Sequence, residues 1–233
     1  MKLAIMQPYF FPYIGYFQLI NAVDKFVVYD DVNFIKRGWI NRNYININNK
    51  KVLFTLPVKD KSQNKLINQH SYNFDDIWKN NFFKTLKMSY GKNDIFSEII
   101  DLIKQIFNFH ELNVAKFNAN SLKIICNYLG IKTNLKFSSN IDYNRNLKGQ
   151  NRILELCQQG NANIYINPIG GQNLYDKEKF TKNNIEFHFI KTLENIRYKQ
   201  FNTQFIPNLS IIDVMMFNSP EKINKMLNEY KLV

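Results

Sequence analysis

Apolar and polar positions repeat with two different periods along this chain, and each change of period marks an element. Lys2 to Met6 (KLAIM) is a short apolar run, and Lys25 to Val32 is a second one, rich in β-branched and aromatic residues. Runs of this length bounded by turn residues read as buried strands. Between them Tyr16, Leu19, Ile20 and Val23 recur at helical spacing. Gln7, Pro8, Pro12 and Gly15 crowd the joint, so the first strand stops at Gln7 and the helix starts near Pro12 to Gly15, where Pro is tolerated. The opening of the chain is thus strand, turn, helix, strand.

Phe34 to Asn43 (FIKRGWINRN) is polar, basic and aromatic at once and reads as a loop hinged at Gly38. Tyr44–Asn48 and Val52–Val58 alternate as a hairpin turning at Asn49 and Lys50. Lys59 to Gln69 has no periodicity and reads as the most mobile stretch. Three helical patterns follow between Asp75 and Leu129. The first carries Ile77, Trp78, Phe82 and Leu86 on one side behind Asp75 and Asp76. The second runs from about Ile95 to Phe107, and the third from about Asn113 to Leu129 with Gly130 as its C-cap. A strand-helix rhythm then resumes: strand Thr133–Phe137, helix Asn151–Gln159 backed by Gly160, strand Asn163–Ile166, helix Tyr175–Asn183, strand Ile185–Ile190. Arg197 to Ile212 carries too many polar and Pro positions for a regular element, and a last helix spans about Pro220 to Tyr230.

This order predicts an α/β protein with a mainly parallel sheet, a nucleotide-binding-like N-terminal strand-turn-helix-strand unit, and a helical insertion at about 75–129. A chain of 233 residues, 45% hydrophobic, fits one domain spanning 1–233. No apolar run approaches the roughly 20 residues of a membrane span, and no secretory signal pattern is present, which points to a cytoplasmic protein. Cys126 and Cys157 sit in apolar helical surroundings and read as buried thiols. The net charge of +12 comes mostly from lysines spread along an Asn- and Ile-rich chain. That is the pattern of a solvated surface, so no nucleic-acid partner is expected.

Chemistry concentrates near the N-terminus. In parallel α/β sheets ligands sit beyond the carboxyl ends of the strands, and a helix N-terminus favours anions. Gln7 ends the first strand, and Tyr29, Asp30 and Asp31 end the second. Adjacent Asp30 and Asp31 point opposite ways on an extended chain, so one can face a pocket while the other caps or pairs with Lys36, Arg37 or Arg42. Lys36, Arg37, Asn41 and Arg42, with Trp39 among them, suit an anionic sugar or nucleotide. Gly170 and Gly171 would let backbone amides approach a ligand. His70, His110 and His188 show no ligand spacing, so no metal site is expected and no cofactor is named. The turn from Gln7 to Tyr16 is placed like the phosphate-cradling turn of nucleotidylyltransferases and pantothenate synthetases, but it has Tyr16 and no histidine.

The segments IMQPYFFPYIGYFQLI, DKFVVYDDVNFIKRGWINRN, Ser138-Ser139, INPIGGQNLY and NLSIIDVMMFNS, taken in order, resemble the WbqC-like family. That resemblance implies a place in bacterial O-antigen and surface-polysaccharide biosynthesis. It implies motif residues Gln7, Pro8, Pro12, Gly15, Tyr16, Asp24, Asp30, Asp31, Lys36, Arg37, Asn41, Arg42, Ser139, Tyr175, Ser210 and Asp213. The expected activity is acyl or aminoacyl transfer to the amine of a nucleotide-linked sugar, with that sugar or an acyl donor as partner. Asp30, Asp31 or Asp213 would act as base, and Gln7, Tyr9, Pro12, Gly15, Tyr16, Lys36, Arg37, Asn41, Arg42, Ser139, Tyr175 and Ser210 would bind substrate. An ATP-dependent ligase or nucleotidylyltransferase, and a non-catalytic sugar or nucleic-acid binding module, are the alternatives. The leading expectation places Gln7, Asp30 and Arg42 around one shared cavity.

Overall fold

A computed structural model describes residues 1–194, 196–201 and 204–233. The chain opens with β1 (Lys2–Met6), α1 (Ile14–Asn21) and β2 (Lys25–Val28). A hairpin of β3 (Arg42–Ile47) and β4 (Lys50–Thr55) follows, then α2 (Asp76–Tyr90), α3 (Phe96–Phe107) and α4 (Val114–Tyr128). After these come β5 (Asn134–Phe137), α5 (Gly149–Gln159), β6 (Ile164–Pro168), α6 (Lys177–Thr181) and β7 (Glu186–Thr192). The C-terminal part supplies α7 (Ile211–Phe217), α8 (Pro220–Met226) and β8 (Tyr230–Leu232).

The protein is α/β, with a central sheet in the order β5-β2-β1-β6-β7-β8. All neighbours pair parallel except β8, which runs antiparallel to β7. Strand direction alternates the side chains between two cores. Leu3, Ile5 and Val27 pack with α5 and α6, while Ala4, Phe26 and Val28 pack with α1, α4 and the other helices. Burial on both faces is why these strands read as continuous apolar runs. The chain leaves β1 toward β2 and β5, then returns to β6 on the other side of β1. That reversal between β1 and β6 is a topological switch point, and the strands' carboxyl ends there form the edge where ligands collect in such sheets.

Several boundaries differ from expectation for local reasons. The hairpin turns at Asn48 and Asn49, with φ of 47° and 64°, because a two-residue turn between twisted strands needs positive φ at both positions and Asn tolerates it. Ile77 is 71% exposed, and the inward stripe of α2 is Phe82, Leu86 and Tyr90. Asp75 caps α2 as expected, accepting the Trp78 amide at 2.8 Å. Gly130, at φ +72°, ends α4 in a Schellman motif. Its amide donates to Asn127 O and that of Ile131 donates to Cys126 O. Helix α6 is shorter than the expected Tyr175–Asn183, and α7 begins at Ile211, at the end of the region read as irregular through Ile212. The last helix stops at Met226, leaving Tyr230–Leu232 as a strand. Lys59–Gln69 is fastened rather than loose: the amides of Phe34, Ile67 and Asn68 donate to the carbonyls of Lys65, Val32 and Asp30. Both cysteines are buried and free, and no described helix is long and apolar enough to cross a membrane.

Candidate active site

The parallel pairing of β2 with β5 brings Tyr29-Asp30-Asp31 beside Ser138-Ser139. Asp31 lies at a bend, and the two carboxylates take different sets of partners. Asp30 is 3% exposed. Its Oδ1 accepts the Ser139 amide at 3.0 Å, and its Oδ2 accepts the Ser139 hydroxyl at 2.7 Å and the Asn68 side-chain amide at 3.1 Å. These partners are all neutral. Asp31 faces α5 instead: Arg152 lies 3.1 Å from Oδ1 and Arg145 3.4 Å from Oδ2, and the Tyr143 hydroxyl donates to Oδ2 at 2.6 Å. Burial, followed by the bond to Asp31, pushes the Tyr143 phenol up to about 12, so it remains a donor at neutral pH. Ser138 stands between the pair, 3.0 Å from Asp30 Oδ1 and 2.5 Å from Asp31 Oδ1. One hydroxyl proton can serve one carboxylate at a time, and the shorter contact assigns it to Asp31.

Asp30 borders a cavity of about 670 Å³ beyond the ends of β2 and β5. Asn68, Asn113, Asn120, Asn140, Ser139, Lys116 and Lys123 supply its polar wall, and Phe109, Phe137 and Leu135 its apolar one. Lys116 pairs with Glu111 at 2.9 Å, whereas Lys123 has no ion-pair partner among the described residues. Small amides, a carboxylate and aromatic rings around one space suit a polyhydroxylated ligand, with amide and carboxylate groups bonding hydroxyls or an amine. The fixed carboxylate is the sole acid in the lining.

The other predicted residues go elsewhere. Tyr9 and Pro12 border a second cavity of about 380 Å³ with Tyr13, Trp39, Asn43, Lys51 and Asn208. Gln7 and Arg42 line neither cavity. The Gln7 carbonyl accepts the hydroxyl of Tyr16, which is 2% exposed and part of the core. Arg42 donates to the carbonyls of Gly38 and Arg37, which commits its guanidinium to its own loop. The shared cradle of Gln7, Asp30 and Arg42 is therefore not formed. The end of α1 does not open on solvent either: its first turn is buried, and a Cβ on Gly15 would lie 2.4 Å from Tyr13 Cε2 and 2.7 Å from Thr192 Oγ1. Side chains of the protein occupy the space an anion would need.

Asn41 donates to the Leu56 carbonyl, and Ser210 caps α7 while donating to the Phe11 carbonyl, which Asn43 also reaches. Those two bonds hold Phe11 at φ +43°, a region a bulky residue enters only when its surroundings enforce it. Asp24 accepts the Lys2 amide. Tyr175 packs on Phe187 and Tyr165 over the α6 face, and Lys36 and Arg37 are exposed. Asp213, 0% exposed, accepts Tyr90, Tyr198 and Gln200 at 2.7, 2.6 and 2.8 Å. It borders neither cavity, and the expected role of base does not fit that enclosure. Sequence reasoning missed Asn68, Arg145 and Arg152, because they come from a loop and from around α5 and meet Asp30 and Asp31 only in the fold. The charge partners assigned to the acids in advance were Lys36, Arg37 and Arg42.

A family model described as the WbqC-like protein family matches residues 7–225. "Uncharacterized protein Rv1507c" of Mycobacterium tuberculosis is 32% identical over 219 residues, covering 93% of this chain and 93% of that protein. No solved structure matches.

Proposed function

The chain belongs to the WbqC-like protein family, and from that membership together with the Asp30 cavity we propose that it is an enzyme of surface-polysaccharide biosynthesis acting on a nucleotide-linked amino sugar. Family membership supports a role in polysaccharide-related biosynthesis. The finer reading rests on one observation. Asp30 is a fixed carboxylate with only neutral partners, and it borders a polar cavity. A buried carboxylate without a cation is costly unless something completes it, and the amine of a bound sugar is the complementary group. The asparagines around it would bond ring hydroxyls.

In the proposed reaction the sugar amine attacks the carbonyl of an acyl or aminoacyl donor. The bound ammonium first passes a proton to Asp30, which frees the nitrogen lone pair; an N–C bond then forms, the donor's bond from carbonyl carbon to leaving group breaks, and the leaving group departs with that electron pair and the amine's second proton. Ser139 and Asn68 hold the carboxylate in place for that transfer. Calorimetric titration with an amino-sugar nucleotide and with its N-acetylated counterpart tests the assignment. The free amine should bind at least tenfold more tightly, and Asp30→Asn should erase the difference. Equal affinities would remove the amine from the reading.

A second reading, an ATP-dependent ligase, is favoured by the strand order β5-β2-β1-β6-β7, which matches that of dinucleotide-binding sheets. The crowding at Gly15 counts against it, since no glycine-lined phosphate cradle is open there. It requires tight binding of Mg-ATP that weakens in Asp30→Asn.

A further inference from the structure

We propose that the cavity bounded by Tyr9, Tyr13, Trp39 and Lys51 is a nucleoside-diphosphate site, separate from the Asp30 cavity. The inference deepens the nucleotide-linked reading above, but its geometry does not depend on the amino-sugar assignment. Trp39 is 42% exposed, although its backbone is fixed. Its carbonyl accepts the Phe10 amide at 3.3 Å, and Arg42 ties the preceding carbonyls of Arg37 and Gly38 together. A large aromatic surface held rigidly toward an open cavity is a stacking platform, and stacking on any base needs only its π face. The cavity volume of about 380 Å³ lies within the range of small-molecule sites.

The polar lining decides between a nucleotide and a plain saccharide. Among the described residues no carboxylate borders this cavity. Both ends of the Asn43 amide are engaged, the nitrogen with the Phe11 carbonyl and the oxygen with the Tyr44 amide. What remains are the Trp39 indole N–H and the Lys51 ammonium, which only donate, and the Tyr9 and Tyr13 hydroxyls and the Asn208 amide, which can donate or accept. Lys51 lies 4.6 Å from the centroid of the Tyr44 ring and has no ion-pair partner among the described residues. Burial, with a smaller contribution from Tyr13, raises Tyr9 to about 12, so its hydroxyl keeps its proton. An aromatic lining with an ammonium and no carboxylate favours a flat, negatively charged ligand. A base and a diphosphate meet both demands, whereas a neutral sugar would leave the Lys51 charge unmatched. Position agrees as well. Tyr9, Pro12 and Tyr13 form the connection between β1 and α1, beside the switch point at which doubly wound sheets bind nucleotides.

Titration calorimetry with uridine diphosphate, adenosine diphosphate and uridine, on the full chain and on three variants, tests this. At least one diphosphate should bind. Trp39→Ala should weaken it tenfold or more, and Lys51→Gln should weaken the diphosphate but not uridine. Asp30→Asn should leave it unchanged. Preference for uridine or adenosine diphosphate identifies a sugar nucleotide or an ATP-derived source, and either preference supports the site. Absence of binding by both diphosphates at millimolar concentration overturns the proposal, as does binding unaffected by Trp39→Ala. Should Asp30→Asn abolish binding while Trp39→Ala does not, the nucleotide occupies the other cavity. This inference then falls while the amino-sugar reading stands.

Discussion

Asp31 at the exit of β2 and Asp213 in α7 are buried to a similar degree, 5% and 0% exposed, yet their partners differ in kind. Asp31 is met by two guanidiniums, a phenol and a hydroxyl. Asp213 is met by two phenols and an amide, with no cation among the described residues. The difference follows from location. The first sits at the sheet's carboxyl edge, where α5 and the loop before it can deliver arginines from the surface. The second lies between α2 and the chain leading into α7, where a cation would itself have to be buried. Asp30 belongs to neither class: its partners are neutral like those of Asp213, but a cavity lies beside it. The missing cation is what a ligand can supply there.

The largest effect should come from removing the charge balance of Asp31. Arg152→Met leaves a buried carboxylate facing only the half-exposed Arg145, and breaking such a pair costs about 3–5 kcal/mol. Urea unfolding at neutral pH measures it, and the Asp31→Asn/Arg152→Met double variant should recover much of the loss. A cost below about 1 kcal/mol for the single variant would mean that Asp31 is balanced by Arg145 and the neutral donors alone, and the contrast with Asp213 would weaken.

Asp30→Asn should show the opposite profile. Its partners are neutral donors, so the stability change should stay near the about 1–3 kcal/mol of one disturbed buried bond. Amine binding should fall tenfold or more, which corresponds to about 1.4 kcal/mol. Calorimetry and urea unfolding on the same preparation separate the two. A large stability loss with unchanged binding would place Asp30 beside Asp213 as a structural group.

How far the sequence anticipated this arrangement depends on the range of the interaction. Strand, helix and turn positions in the first 30 residues were legible because burial on both sheet faces writes apolar runs, and turn residues punctuate them. That one of the adjacent acids would face a pocket while the other paired was legible from reading the chain as extended, although Asp31 itself lies at a bend. Arg145 and Arg152 were not legible, since what brings them to the acids is the adjacency of β2 and β5, strands more than 100 residues apart, and Asn68 was not, since it arrives through backbone bonds of a segment that has no periodicity. Asp213 looked like a base because an acid after an apolar run carries no mark of three neutral donors arriving from Tyr90, Tyr198 and Gln200. Strand β8 is three residues long and exists only through its pairing with β7, so no local pattern announces it.

A smaller test addresses the donors of Asp213. Tyr198→Phe removes the bond at 2.6 Å and leaves Gln200 and Tyr90 in place. A hydrogen bond to a charged acceptor contributes about 1.5–3 kcal/mol. The lower end is expected, because Gln200 still donates to the same carboxylate oxygen. Urea unfolding at pH 7 reads the loss, and a value near zero would show that Gln200 alone suffices for that oxygen.

Asp213→Asn should change neutral-pH stability least of all, by under about 1 kcal/mol, since the amide keeps an acceptor oxygen and a phenol can turn to accept. Its signature is the pH dependence. Burial is the largest influence on Asp213 and raises its pKa in the folded state, against the lowering by Tyr198, Tyr90 and Gln200. Between the ordinary carboxylate value of about 3.9 and that raised value, the folded protein holds a proton that the unfolded chain has released. Stability therefore falls as pH rises through this window; the contribution is complete below it and absent above it. Asn cannot titrate, so the variant should gain relative to the natural protein as pH climbs from about 4, then run parallel to it. Urea midpoints at half-unit pH steps give the difference curve. A curve sloping the other way would mean that the three donors outweigh burial at Asp213.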